Sequence, residues 1–267
     1  MNDITNKKVL FVQADNRVTL ECGEILPHRK TPLYYTMPVN KKVCEHLKYD
    51  YRFIQVDEEL INSCMILKPK ITEWHMGFVK IFIVDKILKE ADIDILVFLD
   101  CDAWVQNCNY LNQLICTLNN DENKIGCFSR DPYMIKNTFV NSGVFILKVN
   151  DSTRKMYDTI KYNYVHSPIP ENWRNMPGYI WGDQQYISSY VYDNKEDYFI
   201  FEPTILNSPV GKIIRHNWWK DTRLTEDTEL LINENFENQM KYIDLDKYLD
   251  NKPWPNKHNE GEWVLNK

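Results

Sequence analysis

Asp100 and Asp102 stand one residue apart at the end of the largely apolar run Ile93–Leu99. Such a run reads as a buried strand of an α/β sheet, and its C-terminal end as the mouth of a site. Two carboxylates held this close repel each other unless a cation offsets them, and hard oxygen donors suit Mn²⁺ or Mg²⁺. The pair is therefore a candidate D-x-D metal site. The alternative is a plain polar turn at a strand end, where Asp is common. Far along the chain, His216 follows Ile213-Ile214 and stands near Trp218 and Lys220. A third metal ligand and an ordinary partly buried histidine both fit that setting. Lys220 can act as a point charge toward an anionic ligand or be a solvated surface lysine.

Other residues with chemical potential sit where elements begin, end or break. Asn141-Ser142-Gly143 interrupts an apolar strand, 139–147, and Gly inside a strand marks a bulge or a close approach to the backbone. Asp183 precedes Ile187, Tyr190 and Val191 at helical spacing and can cap that helix. Lys80 lies just off the apolar face of a helix carrying Trp74, Phe78, Ile81, Phe82 and Leu88, with Thr72 as its N-cap. Asp15 and Asn16 belong to a polar loop after the first strand, 9–12. Neither G-x-G-x-x-G nor G-x-x-x-x-G-K occurs, so a diphosphate would have to be held through metal.

Positioning these groups requires alternating elements. The pattern predicts a strand at 9–12, a short helix at 40–48, a strand at 51–56, a helix at 72–90 and the acidic strand. A helix at 110–116, strands at 124–128 and 139–147, and a helix at 153–164 follow. After a Pro-containing loop, 168–177, come the helix from 183, a strand at 198–206 and the segment 213–220 that closes the globular pattern. This is an α/β fold with a mostly parallel sheet and helices on both faces. A single domain over 1–267 is expected, with a helical tail from about 221 that includes an amphipathic helix, 226–241.

Composition narrows the partners. Net charge is −6 with no basic run, which argues against nucleic acid and against an anionic membrane surface. The seven cysteines are odd in number and never spaced C-x-x-C, which argues against a zinc site and a fully paired disulfide set and fits a reducing compartment. The N-terminus has no signal-peptide core, and no run reaches the ~18 apolar residues of a membrane span, so a soluble cytoplasmic protein is expected. With 16 Tyr, 11 Phe and 8 Trp, there is ample aromatic surface for stacking on ring-shaped ligands.

Taken in order, Asn40…Tyr51, Lys80, Asp100-Cys101-Asp102-Ala103, Asn141-Ser142-Gly143, Trp181-Gly182-Asp183-Gln184 and His216 form a series over roughly residues 7–220. The series resembles the retaining GT-A glycosyltransferases, in particular the α-galactosyl-, mannosyl- and xylosyltransferase family of the yeast galactomannan enzymes and plant xyloglucan xylosyltransferases. The resemblance implies a GT-A, Rossmann-like fold. It also implies transfer of a sugar from a nucleoside-diphosphate donor, UDP favoured, to a glycan hydroxyl with retention of configuration. Mn²⁺ (or Mg²⁺) would be held by Asp100, Asp102 and His216, with Asp100 and Cys101 also near the donor. Asn141, Ser142 and Gly143 would admit the donor sugar, Gly by removing bulk and Asn by bonding hydroxyls. Asp15, Asn16, Lys80 and Lys220 are further donor contacts. Asp183 and Gln184 would be catalytic, facing the anomeric carbon opposite the leaving diphosphate as nucleophile or as stabiliser of positive charge.

No N-terminal anchor of the kind carried by the family's Golgi members is expected from the first residues, and Trp219-Lys220 follows the histidine in place of the family's usual residues, so the acceptor does not carry over. A haloacid-dehalogenase-type phosphatase would use Asp100 as phosphoryl nucleophile and Gly182-Asp183 as its later motif. Its acidic strand usually opens the domain, however, and Trp104 stands where Thr or Val is usual. A nucleotidyltransferase making the sugar nucleotide would share sheet and metal but needs a Gly-rich N-terminal loop. A non-catalytic sugar-binding module would need only part of the set.

Overall fold

The structure, a computed structural model, describes residues 6–21, 24–28, 31–66, 75–90, 92–131, 140–166, 183–217 and 224–249. Its strands are β1 (Val9–Asp15), β2 (Val18–Glu21), β3 (Glu24–Pro27), β4 (Asp50–Gln55), β5 (Ile95–Leu99), β6 (Ala103–Val105), β7 (Gly126–Arg130), β8 (Val140–Lys148), β9 (Tyr198–Phe201) and β10 (Ile214–His216). The helices are α1 (Leu33–Leu47), α2 (Glu58–Ile66), α3 (His75–Leu88), α4 (Cys108–Asn120), α5 (Asp151–His166), α6 (Asp183–Asp193), α7 (Pro203–Leu206) and α8 (Leu224–Asn233).

The central sheet has the order β4-β1-β5-β8-β7-β9. β1 pairs in parallel with both β4 and β5, and β7 with β9, while β8 runs antiparallel to its neighbours β5 and β7. The sheet is therefore mostly parallel, as the sequence predicts. Apolar residues alternate between its two faces. Phe11, Val97, Leu99, Val144 and Ile146 face one core with α1 and α4, and Val12, Leu96, Phe98, Phe145 and Leu147 face the other with α3, α5 and α6. Both faces are covered by helices, which is why these strands read as nearly unbroken apolar runs. From β1 the chain continues first to β4 on one side and later to β5 on the other. A crevice opens at the C-terminal ends of two strands that part in this way.

Several elements differ from the sequence pattern: β1 runs on to Asp15, so that residue ends a strand and is not part of a loop, and the pattern does not predict the β2–β3 hairpin or α2. α1 starts at Leu33, not 40, and runs through Pro38, because Leu33, Met37, Val39, Val43 and Cys44 make a buried stripe that begins about two turns earlier. Lys80 is not at the edge of an apolar face: α3 packs against α2, α5 and α6, so nearly its whole circumference is covered and Lys80 is buried with it. The expected strand at 198–206 stops at Phe201, since Pro203 cannot donate to a ladder and instead opens α7. The expected helix at 226–241 is the shorter α8, followed by 3₁₀ turns at Phe236–Asn238 and Leu245–Tyr248. Leu231, Phe236, Ile243 and Leu245 join the core beneath α1 and α4, and Lys42 Nζ donates to the carbonyls of Leu231, Ile232 and Glu234 at the end of α8. Thr72, Pro69 and the loop 168–177 lie outside the described residues. Among the described residues no helix is long and apolar enough to cross a membrane.

Candidate active site

β5 ends at Leu99, and the chain turns through Asp100-Cys101-Asp102 into β6. β6 pairs antiparallel with β10, so Ala103 stands opposite His216, and Asn217 N donates to Asp102 O at 3.0 Å. On the other flank Asp100 N donates to Gly143 O at 2.7 Å. This pairing brings Asp100, Asp102 and His216 together: one ligand atom from each lies within 4.8 Å of the others. His216 Nε2 is 2.9 Å from Asp102 Oδ1 and 3.9 Å from Asp100 Oδ2. The opposite ring nitrogen, Nδ1, is 2.6 Å from the Oδ1 of buried Asn207. An amide oxygen can only accept, so Nδ1 carries a proton and Nε2 is the nitrogen turned to the carboxylates. Two carboxylates and an imidazole nitrogen are a donor set that could hold one divalent cation, and the nitrogen suits Mn²⁺ better than Mg²⁺.

Electrostatics in the cluster are unequal. Burial raises the Asp100 carboxyl above its ordinary value, and Lys80 and His216 only partly offset this. Burial works the same way on Asp102, but there contact with His216 wins and holds the carboxyl low. His216 itself is raised, because the pull of Asp102 outweighs the burial that would discharge it. Gly143 makes this packing possible. A Cβ there would lie 2.1 Å from His216 Cε1 and 2.8 Å from both His216 Nδ1 and Asp100 Oδ2. The room made by the missing side chain is filled by the imidazole, whereas the sequence reading assigned it to a sugar.

Lys80 Nζ lies 2.7 Å from Asp100 Oδ1 and 3.2 Å from Asp183 Oδ2, and donates to Ser142 O at 3.1 Å. Burial would lower its pKa, yet Asp100 and Asp183 raise it, so the ammonium stays charged. Asp183 is in the first turn of α6, where a carboxylate also meets the positive end of the helix. Next to it, Gln184 Nε2 donates to Asp131 Oδ2 at 3.0 Å, and Asn141 Nδ2 reaches the same oxygen at 3.3 Å. Asn141 Oδ1 accepts from Gly143 N at 2.7 Å.

Asp15 also reaches the cleft, but its carboxylate is occupied by Arg17: Nε donates at 2.9 Å, Nη2 at 2.7 Å and the backbone N at 2.8 Å. The half-exposed Arg17, whose Nη2 also contacts Cys101 Sγ at 2.9 Å, is the group that presents charge to solvent. Asp15, Asn16, Arg17, Lys80, Asp100, Cys101, Asp102 and Asp183 line one cleft of about 260 Å³. Trp181, Gly182 and Lys220 lie outside the described residues. Sequence reading did not single out Gln13, Arg17, Thr36, Asp131 or Asn207. A buried polar residue ending an apolar strand was the available signal for Gln13 and Asp131, and nothing in the local pattern pointed to Asn207.

No family model and no curated protein matches the chain. Among solved structures it is similar to a glycosyltransferase involved in the glycosylation of the major capsid of PBCV-1. Identity is 16%, coverage 84% of this chain and 98% of that one, and the TM-score 0.56. It is also similar to mouse xyloside xylosyltransferase 1, with 12% identity, 85% and 93% coverage and a TM-score of 0.48. The chain thus has the fold of a solved glycosyltransferase, the mostly parallel, helix-covered architecture that the ordered motifs implied.

Proposed function

We propose that this protein is a retaining glycosyltransferase that moves a sugar from a nucleoside-diphosphate donor, UDP favoured, to a hydroxyl of a glycan acceptor. The observation that carries this reading is the convergence of Asp100 and Asp102 with the buried His216, where both carboxylates and the Lys80–Asp183 pair line a cleft at the C-terminal ends of β1 and β5. Asp100, Asp102 and His216 would hold Mn²⁺, which when bound supplies positive charge to the leaving diphosphate. Lys80 adds a buried cation at the same place, and Arg17 a second at the rim. Gln184 and Asn141 are both buried and each gives one amide proton to Asp131, so each would have only its second amide proton to turn toward a sugar hydroxyl. Asp183 supplies the carboxylate for the face of the anomeric carbon opposite the diphosphate, and its contact with Lys80 fixes its direction.

The test is a panel of UDP- and GDP-sugars assayed with Mn²⁺ for slow hydrolysis and for transfer to sugar acceptors, with the product anomer read by NMR. An α-linked product from an α-linked donor is expected, and a β-linked product overturns retention. Asp183→Ala should lower kcat by about 10² or more while donor affinity stays within a few-fold. Turnover of simple phosphate esters with no sugar transfer would move Asp100 to the role of phosphoryl nucleophile.

A further inference from the structure

The turn that carries the two acidic residues is held from beneath by side chains with no reach into the cleft. Gln13, Thr36 and Asn40 are fully buried. Gln13 Nε2 donates to Asp100 O at 3.1 Å and to Ala103 O at 3.4 Å. Thr36 Oγ1 donates to Cys101 O at 2.7 Å. Asn40 spans the start of β6, its Nδ2 donating to Ala103 O at 3.0 Å and its Oδ1 accepting from Val105 N at 3.0 Å. The three are locked together in turn. Gln13 Oε1 accepts from Asn40 Nδ2 at 3.1 Å and from Tyr51 Oη at 2.9 Å. With Asn217 N on Asp102 O, each carbonyl from Asp100 to Ala103 has a donor.

We propose that Gln13, Thr36, Asn40 and Tyr51 are positioning residues that fix the backbone of the acidic turn, so that Asp100 and Asp102 meet His216 in ligand geometry before a cation arrives. The inference rests on the metal assignment made above. Two carboxylates so close would spread apart if the turn could relax. The clamp opposes this from β1, α1 and β4 at once, by bonding main-chain atoms that the side chains at 100–103 cannot alter. Gln13 has the central place, since one amide serves the turn through its nitrogen and the clamp through its oxygen. Partners of this kind, one shell removed from a metal, typically change its affinity by about 10- to 100-fold.

Two substitutions isolate the effect. Gln13→Glu keeps volume and the oxygen that Asn40 and Tyr51 bond, but replaces the two-proton amide nitrogen that serves both Asp100 O and Ala103 O by an oxygen that carries one proton when neutral and none when ionised. Thr36→Val keeps the branched shape and removes the hydroxyl, and Thr36→Ser restores it. Mn²⁺ alone is titrated into each folded protein, with free Mn²⁺ read by electron paramagnetic resonance. Val43→Ala, a core truncation on the same helix, controls for lost stability. Gln13→Glu and Thr36→Val should weaken Mn²⁺ binding by about 10-fold or more, Thr36→Ser by no more than about two-fold, and Val43→Ala not at all. If Gln13→Glu does not fold, the Thr36 pair decides alone. Wild-type affinity in Thr36→Val, or losses in Thr36→Ser and Val43→Ala as large as that in Thr36→Val, overturns the clamp and leaves the metal site standing. Absence of Mn²⁺ binding by the wild type removes both.

Discussion

Replacing Gly143 by alanine adds one carbon at the most crowded point of the site. The new Cβ would sit 2.1 Å from His216 Cε1, against the ~3.5–4.0 Å at which carbons rest. The imidazole would have to retreat by about 1.5 Å. It is tied on one side to Asn207 at 2.6 Å and on the other to Asp102 at 2.9 Å, and a movement of that size breaks both contacts. A neutral hydrogen bond is worth about 1 kcal/mol and one to a charged group about 1.5–3, with about 1–3 more for overpacking. These terms are not additive, and about 3 kcal/mol is the expected cost. The opposing gain, the smaller chain entropy of unfolded Ala relative to Gly, is only about 0.4–1 kcal/mol, so the net sign is destabilising. Urea denaturation of the metal-free protein measures this directly, in a double-mutant cycle with His216→Ala. Once the ring is gone, the one of the three nearest atoms that stays is Asp100 Oδ2, the end of a rotatable and partly exposed side chain. Gly143→Ala should then cost under about 1 kcal/mol, giving a coupling of about 2 kcal/mol. Equal costs in the two backgrounds would refute the claim that Gly143 exists to seat His216.

Two further outcomes follow from the charges. The His216 pKa is raised above its ordinary 6.5 by Asp102. The pair's contribution to metal-free stability is thus fully present below about pH 6.5 and is lost as pH rises through the folded-state value, while Mn²⁺, which needs an unprotonated Nε2, binds more tightly over the same rise. The stability difference between wild type and His216→Ala, and the Mn²⁺ affinity of wild type, should therefore move in opposite directions between about pH 6 and 8; parallel trends would refute the pairing. Lys80→Met would leave Asp100 and Asp183 without their shared cation and should cost about 2–3 kcal/mol, discounted for the partial exposure of Asp100. Adding Asp183→Asn should recover part of that loss in the same denaturation assay, and full additivity would speak against a shared cation.

What the sequence discloses and what it hides divide along the range of the interactions. Strands β1, β5 and β8 are legible because both their faces are covered, which forces apolar residues at almost every position. Asp100, Asp102 and His216 are legible as types able to bind a cation. Their meeting is legible only through the order of motifs that carries the resemblance and not from any local pattern, since it depends on β6 pairing with β10 across more than a hundred residues. Lys80 is misread for a related reason: a helix covered by three others has no polar face against which a buried lysine would stand out. Asn207 is nine residues before His216 and comes into contact with it through the path of the chain from α7 into β10, which no periodic pattern describes. Gln13 reads as the polar end of a strand, although its side chain turns inward under the acidic turn.

The reversed direction of β8 explains how a polar, glycine-containing triplet can interrupt a core strand without loss. In a wholly parallel sheet, the residue beside the C-terminal end of β5 would come from the C-terminal end of its neighbour. Because β8 is antiparallel, its N-terminal half lies there instead, and Leu99 pairs with Val144 as the last rung before Asp100. Asn141, Ser142 and Gly143 lie beyond that rung. On the other edge the β7–β8 register shifts between Phe128 and Arg130, next to the same three residues. The triplet therefore occupies a stretch where regular pairing has stopped on one side and is irregular on the other, so its groups are spent elsewhere. Gly143 O accepts from Asp100 N, Ser142 O from Lys80, and the Asn141 side chain bridges Gly143 N and Asp131. One strand reversal thus turns what would be a defect in the sheet into the wall that joins the acidic turn, the buried lysine and the start of α6.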